Sequence, residues 1–500
     1  MKKDYYFANG EFVIENFDQK KTFSSFLPAI AGKKGVPGWS FYVNRGQGMS
    51  SFGIRDKNGS ILEFFPAYTA YEVINRIGFR TFVRINGKTQ EIFCVKNNFA
   101  KRSMHISREK FKIREINKKL GIQVDITYFG LPNEPIAGLV RKVEVKNISD
   151  NDLTVELLDG CTQIFTPGTE YGAYKAVSNL LRSWMGVFNL ENNMAFYKLR
   201  ASTGDSEEVR EILDGNFYMS FVDNKLVKPI CDPYVIFGAD NSYTYISDKF
   251  VNGGVDALKA EPQYCTNKVL CGFTPVALNL KSNESKRLDT IIGYCHSLEA
   301  FNEMAPTFCS HEYVNKKEKE AKDVIEVMMS DVETHTSFPI FDEYLKNTYL
   351  DNLLRGGYPF SFKAKDKEYI YYLYSRRHGD LERDYNFFSI APEYYSQGNG
   401  NFRDICQNRR SDSLICPKVK DYNLKYFVSL IQQDGYNPLG INGTTFKLYD
   451  SVNVEKLVDT CFADHHDIMI KLLSNNFTPG SIVNTVENNG VRANILWRIT

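Results

Sequence analysis

Along the first part of the chain, apolar and polar positions alternate with a period of two, in short runs separated by turn residues. Ser51–Arg55 and Ser60–Phe65 flank Asp56-Lys57-Asn58-Gly59, and Phe82–Ile85 and Lys88–Val95 flank Asn86-Gly87. An Asn-Gly pair between alternating runs supplies the positive φ angles of a tight turn, so both stretches read as β-hairpins. Phe111–Ile116 and Gly121–Phe129 alternate in the same way. Leu139–Val145, Leu153–Leu158, Met194–Leu199, Phe217–Val222, Thr244–Ile246 and Leu288–Tyr294 are further strand-like runs, and no strong helical period separates them. Gly32–Phe41, rich in glycine and proline, reads as a long loop beside the first strands. The spacing leaves no room for βαβ units, which predicts a large antiparallel super-sandwich over residues 1–310.

The period changes after Cys309. Glu312–Met329 carries charge on one face and Ala321, Val324, Ile325 and Met328 on the other, which predicts a helix. Thr336-Ser337-Phe338-Pro339 breaks it, and Phe341–Leu354 forms a second helix closed by Gly356-Gly357. Beyond these, Tyr369–Ser375, Phe402–Leu414, Asp421–Gln433, Val454–Phe462, Ile468–Leu473 and Gly480–Asn488 read as helices joined by loops. The expected organisation is multidomain, β then α. An all-β domain (1–310) is followed by a helical linker (311–340) and an all-α region (341–500) that reads as an incomplete helical domain.

Composition narrows the function classes. With 43% hydrophobic and 24% charged residues in 500, the chain is globular and long enough for two or three domains. Its 61 basic and 60 acidic residues nearly cancel, which removes any whole-protein electrostatic case for nucleic acid or an anionic membrane as partner. The 36 Phe and 30 Tyr against 3 Trp favour half-buried sheet surfaces, although aromatic faces also stack on sugars. No pair among the ten Cys has CxxC spacing, so the thiols are expected to be reduced and buried, with no metal site. Met1-Lys2-Lys3 leads into Asp4-Tyr5-Tyr6 without an apolar run, and no stretch approaches the roughly 18 apolar residues of a membrane span. A cytoplasmic protein is expected.

Candidate chemistry concentrates in Gln397–Arg410, where Gly398-Asn399-Gly400-Asn401 gives a loop of free dihedral choice before a polar helix start. Arg403 and Gln407 fall on one face of that helix, and Asp404 and Asn408 on the adjacent one. A carboxylate that accepts two hydroxyls beside a rigid guanidinium fork suits a hydroxyl-rich ligand; the alternative is a solvated helix end. Upstream, His378-Gly379-Asp380-Leu381-Glu382-Arg383-Asp384-Tyr385 either presents Arg383 and Asp384 to the same ligand or forms a solvated loop of weak ion pairs. Asp464-His465-His466-Asp467 is a poor metal site, because adjacent histidines on a helix diverge. No GxGxxG, P-loop, GxSxG or HExxH pattern points to nucleotide cofactors, serine hydrolysis or zincin chemistry.

Asn401-Phe402-Arg403-Asp404-Ile405-Cys406-Gln407-Asn408 resembles the Phe-Arg-Asp-x-x-Gln-Asp signature of inverting β-glucoside phosphorylases, the cellobiose phosphorylase group. Gly35–Gln47, Leu62–Ala67, Glu156–Gly160 and Tyr394–Gly400 fit the same group, the first two looking more like relatives acting on β-1,3-oligoglucans. The resemblance implies a β super-sandwich, linker helices and an (α/α)6 barrel. It also implies Arg403 and Asp404 beside the sugar next to the scissile bond. Asn408 replaces the signature's final Asp, keeping hydrogen-bonding capacity without the charge.

The reaction implied is phosphorolysis of a β-glucosidic bond to α-glucose 1-phosphate. Inorganic phosphate is the co-substrate, an oligosaccharide is the substrate, and there is no further cofactor. Relatives are commonly homodimers. Their general acid is an Asp in a Trp-Asn-Asp-like motif well after the Phe-Arg-Asp segment, and none occurs before Thr500. The sequence therefore reads as the N-terminal portion of a phosphorylase with its acid beyond Thr500, and the activity of this portion alone is left open. A non-catalytic carbohydrate-binding protein and a glycoside hydrolase on the same scaffold are the alternatives.

Overall fold

The computed structural model describes residues 4–488, apart from 98, 169, 202–206, 208–210, 365–366 and 378–387. Among the described residues, eleven strands form one antiparallel sheet. Ten of them run, in spatial order, Tyr5–Ala8, Glu11–Glu15, Lys101–Ile106, Lys110–Asn117, Ile122–Gly130, Ala137–Asn147, Ser285–Cys295, Gly215–Val222, Ala195–Leu199 and Met185–Phe188. A second sheet orders Leu270–Leu280, Leu153–Ile164, Phe79–Ile85 and Lys88–Ile92, and a third orders Ser24–Leu27, Trp39–Val43, Met49–Gly53 and Ser60–Leu62.

The alternation along the strands decides which face each sheet buries. Ile113, Val124, Tyr128, Val143 and Ile292 of the large sheet pack against Val83, Leu157 and Leu278 of the second and Tyr42 and Phe52 of the third, forming the main core. Their strand neighbours Phe129, Val140, Phe217, Met219 and Ile291 point to the opposite face, where α5 (Leu298–Phe308) and α6 (His311–Met329) cover them. The second sheet is likewise covered outside, with Phe82, Leu158 and Phe273 meeting α3 (Pro233–Phe237) and α4 (Asp248–Lys259). Strands buried on both faces lose the polar half of their alternation.

A buried ion pair crosses the main core. Arg141 and Asp159 are both fully buried, and Arg141 donates to Asp159 Oδ2 at 3.0 Å and Oδ1 at 2.6 Å. Gln47 Oε1 accepts from Arg141 at 2.7 Å, Thr81 Oγ1 donates to Asp159 at 2.6 Å, and the Tyr128 hydroxyl also accepts from Arg141. Asp159 is therefore a core fastening between the two main sheets, with every oxygen occupied from inside.

Several expectations need correction. The strand-rich half contains helices: α1 (Ala67–Val73), α2 (Tyr171–Arg182), α3, α4 and α5. Each lies over a sheet that hides a single apolar face, and α4 is broken at Gly254 (φ 68°), which masks its period. Thr244–Ile246 is not a strand, because the Asp240 carboxylate takes the backbone N–H of Ser242, Thr244 and Tyr245 at 3.0, 2.7 and 3.0 Å. Asn86-Gly87 does turn with both φ positive, at 50° and 76°. Asn58-Gly59 instead closes a short 3-10 turn that Asp56 caps through the Asn58 N–H at 2.8 Å, and the positive φ falls on Arg55.

After α6 comes α7 (Pro339–Gly356), ended by Gly357 at φ 94°. The region beyond is not all-α. Tyr369–Ser375, expected as a helix, is mostly the strand Lys367–Leu373, paired with Tyr358–Ala364. Its Tyr371 and Leu373 pack on α6 and α7 while Ile370 and Tyr372 pack on Val419, so both faces are buried and the run lacks polar alternation. A short apolar run of this kind cannot be told from a buried helix by period, and here the aromatic and β-branched content prevails. The remaining helices are α8 (Phe402–Arg409), α9 (Asp412–Ile415), α10 (Tyr422–Ser429), α11 (Val454–Cys461), α12 (His466–Leu473) and α13 (Pro479–Asn488). Among the described residues, no helix is long and apolar enough to cross a membrane.

Candidate functional site

The loop that leads into α8 is braced by the strand-rich half. Phe388 packs its ring 5.3 Å from Trp39, 5.5 Å from Phe41 and 5.9 Å from Phe64. The Ile390 N–H donates to Arg55 O at 2.6 Å and the Tyr395 N–H to Lys33 O at 2.9 Å. Of the stretches that share the phosphorylase resemblance, Trp39 and Phe64 pack in one cluster with Phe388, and Val36 packs in another with Tyr394 and Tyr395.

Residues 397–401 are not the freely turning loop expected from their glycines. None has a positive φ. Gly398 is needed for close approach, since a Cβ there would sit 1.8 Å from Ser389 O, and one on Gly400 would sit 2.4 Å from Ile405 Cδ1. Gln397 clamps Thr444 through both amide atoms, at 2.6 and 3.0 Å, and Gly400-Asn401 pairs with Gly440-Ile441. The chain enters α8 extended and held on both sides.

The first turn of α8 carries an ordered polar array. Asn401 precedes the helix; its Oδ1 accepts from Arg377 at 2.8 Å, and its Nδ2 donates to Asp404 Oδ2 at 3.1 Å. Arg403 donates through Nε and NH2 to Asp404 Oδ1, both at 3.2 Å. Asn408 Nδ2 donates to the Asp404 carbonyl at 2.7 Å. The Arg403 side chain is 86% exposed and Asp404 27% exposed, so the pair is presented outward while its geometry is set from behind. Burial pushes the Asp404 carboxyl up, but the Asn401 and Arg403 hydrogen bonds outweigh it and hold it below the usual carboxylate range. Asp404 is therefore an ionised acceptor at neutral pH and not a proton donor. Of the remaining expected residues, Gln407 is exposed beside Arg403, and Arg383 and Asp384 lie outside the described residues, as does the rest of His378–Tyr385.

Behind the array, the far end of α8 is anchored in the protein. Arg409 is buried, donates to Gly356 O at 2.5 Å and stacks 3.5 Å above the Tyr372 ring. Tyr372 and Asn423 donate to the buried Asp412 carboxylate at 2.8 and 3.3 Å. Burial pushes the Asp412 carboxyl up to about 6, against the pull of Tyr372, Arg409 and Asn423. A raised folded value favours the protonated form, so this contribution to stability is full below about pH 4 and lost as pH rises towards 6. Asp412→Asn is expected to abolish that loss, worth roughly 2–3 kcal/mol, in urea titrations compared across pH 4 to 7.

Sequence reasoning missed Arg377 and Asn401 as the support of Asp404, and also Arg376, a buried guanidinium that burial lowers to about 10. The adjacent Arg376-Arg377 pair was the available signal, because two arginines closing a buried strand need partners.

No family model and no curated protein matches the chain. Solved structures that the chain is similar to include a bacterial glucoamylase complexed with acarbose, at 11% identity and TM-score 0.39. They also include a polysaccharide lyase, at 10% and 0.29, and a putative kojibiose phosphorylase from human microbiome, at 8% and 0.24. The alignments cover 84%, 57% and 70% of this chain but 53%, 34% and 33% of those chains, so it spans about half their length or less. Similarity at this level carries no conclusion about activity.

Proposed function

We propose that the chain is part of an inverting glycoside phosphorylase that cleaves a β-glucosidic bond with inorganic phosphate, releasing α-glucose 1-phosphate. The observation that carries this reading is the outward Arg403–Asp404 pair, held by Asn401 and Arg377 within the Phe-Arg-Asp segment. Two carboxylate oxygens can accept neighbouring sugar hydroxyls, and the exposed guanidinium can donate to a third. A sugar that lacked those hydroxyls would leave the pair unmatched, so the array discriminates by what it leaves unpaired. Because the Asp404 carboxyl stays ionised, it reads hydroxyls, and the acid that protonates the glycosidic oxygen is a different group. Cellobiose-like and β-1,3-linked oligoglucans are the proposed substrates, following the resemblance of Gly35–Gln47 and Leu62–Ala67.

The test combines binding and turnover on the purified chain. Saturable binding of cellobiose or laminaribiose that tightens with phosphate and is lost in Arg403→Ala is the expected result. Release of free glucose without phosphate, or no binding of either disaccharide, contradicts the reading.

A further inference from the structure

A cavity of about 410 Å³ opens in the strand-rich half, lined by none of the described residues of α8 or of the loop that precedes it. Its wall is drawn from the turn after α1, the strand Leu153–Ile164, the end of α2, the start of α3 and two loops. Arg76, Arg182 and Lys268 line it, and among the described residues no carboxylate does. Lys268 is already matched by the buried Asp232 at 3.1 Å and lies 4.2 Å from the centre of the Tyr234 ring. Among the described residues, Arg76 and Arg182 have no carboxylate within ion-pair distance.

Two buried polar atoms on this wall lack partners among the described residues. Among the described residues, Arg182 makes only long hydrogen bonds, to Asn179 Oδ1 at 3.5 Å and the Tyr174 hydroxyl at 3.3 Å, and its buried Nε has no acceptor. Gln163 Oε1 is buried without a donor. Glu63, whose charge reaches Arg182, is pushed up to about 7 by burial, so it does not fully neutralise that guanidinium. Buried polar atoms in native proteins are nearly always satisfied, and an unmatched guanidinium in a cavity is a ready partner for an oxyanion.

The volume falls in the roughly 300–1,000 Å³ range of small-molecule sites and exceeds what a bare anion fills. Tyr234, 53% exposed, offers a ring face, and Tyr243 and Asn241 complete that side of the cavity. We propose that this cavity binds a phosphorylated sugar, with the phosphate between Arg76 and Arg182 and the sugar ring against Tyr234. Guanidinium forks match phosphate oxygens in pairs, and an aromatic face suits the apolar side of a pyranose. The site stands on its own residues and needs no phosphorylase activity.

Isothermal titration calorimetry of the whole chain with glucose 1-phosphate, glucose 6-phosphate, inorganic phosphate, glucuronate and glucose tests it. At least one hexose phosphate is expected to bind saturably, about tenfold or more tighter than inorganic phosphate or glucose, with affinity falling as salt rises. R76Q/R182Q is expected to weaken that binding by about tenfold or more and to leave cellobiose binding unchanged, which separates this site from the one on α8. Arg76 is exposed, so R76Q alone, expected to weaken binding several-fold, guards against a folding defect in the double variant. No saturable hexose phosphate binding, equal binding of phosphate alone, tighter binding of glucuronate, or undiminished binding in R76Q/R182Q would each overturn the proposal.

Discussion

Asp159→Ala is expected to lower the unfolding free energy by about 3–5 kcal/mol, read from the urea midpoint of the intact chain. The substitution removes the carboxylate that faces the fully buried Arg141, and the remaining acceptors, Gln47 and the Thr81 and Tyr128 hydroxyls, are neutral. A guanidinium buried between two sheets without a counter-charge bears the full cost of its desolvation. Replacing both members, as in R141M/D159L, is expected to cost far less than the single change, because no charge is then left unpaired. Equal losses in the single and double variants would show that packing volume, not charge, dominates at this position.

Asp404→Asn is expected to weaken binding of a β-linked glucose disaccharide by about ten- to a hundredfold, the range for losing hydrogen bonds to a charged acceptor. The pH response should differ as well. Asp404 sits below the usual carboxylate range, so its ionised contacts with Asn401 and Arg403 persist above the unfolded value and are lost as pH falls through the folded one. Disaccharide binding by the unchanged chain should therefore be flat through neutrality and drop only on acidification, and D404N should show no such drop. Saturation-transfer NMR across a pH series reads both effects.

Much of the architecture could be read from the pattern of residues, for reasons visible in particular elements. Lys110–Asn117 alternates strictly between buried and half-buried positions, and such a strand announces itself. The helix read at Glu312–Met329 is α6 within one residue, because Ser310 caps it through the N–H groups of Glu312 and Tyr313 and its apolar stripe meets the large sheet at Ala321 and α7 at Ile325 and Met328. What escaped reading depends on contacts distant in sequence. The strand Lys367–Leu373 is buried on both faces by α6, α7 and Val419, so nothing in its own residues marks a solvent side. Thr244–Ile246 has strand-like residues, yet a carboxylate a few positions back takes its N–H groups.

The same division holds at the candidate site. The faces of α8 followed from helical spacing, placing Arg403 with Gln407 and Asp404 with Asn408. The Arg377 contact that steadies Asn401, and through it Asp404, spans 24 residues and has no local signature. The glycines of Gly398-Asn399-Gly400 signalled special backbone, but the requirement is space beside Ser389 and Ile405 rather than an unusual φ.

A crystal structure of the chain with laminaribiose or cellobiose bound tests the central claim most directly. The account predicts two adjacent sugar hydroxyls on the Asp404 carboxylate, a further hydroxyl on the Arg403 guanidinium, and Asn401 and Arg377 unmoved behind them. A disaccharide seated elsewhere, with Asp404 and Arg403 bonded only to each other and to water, would contradict it.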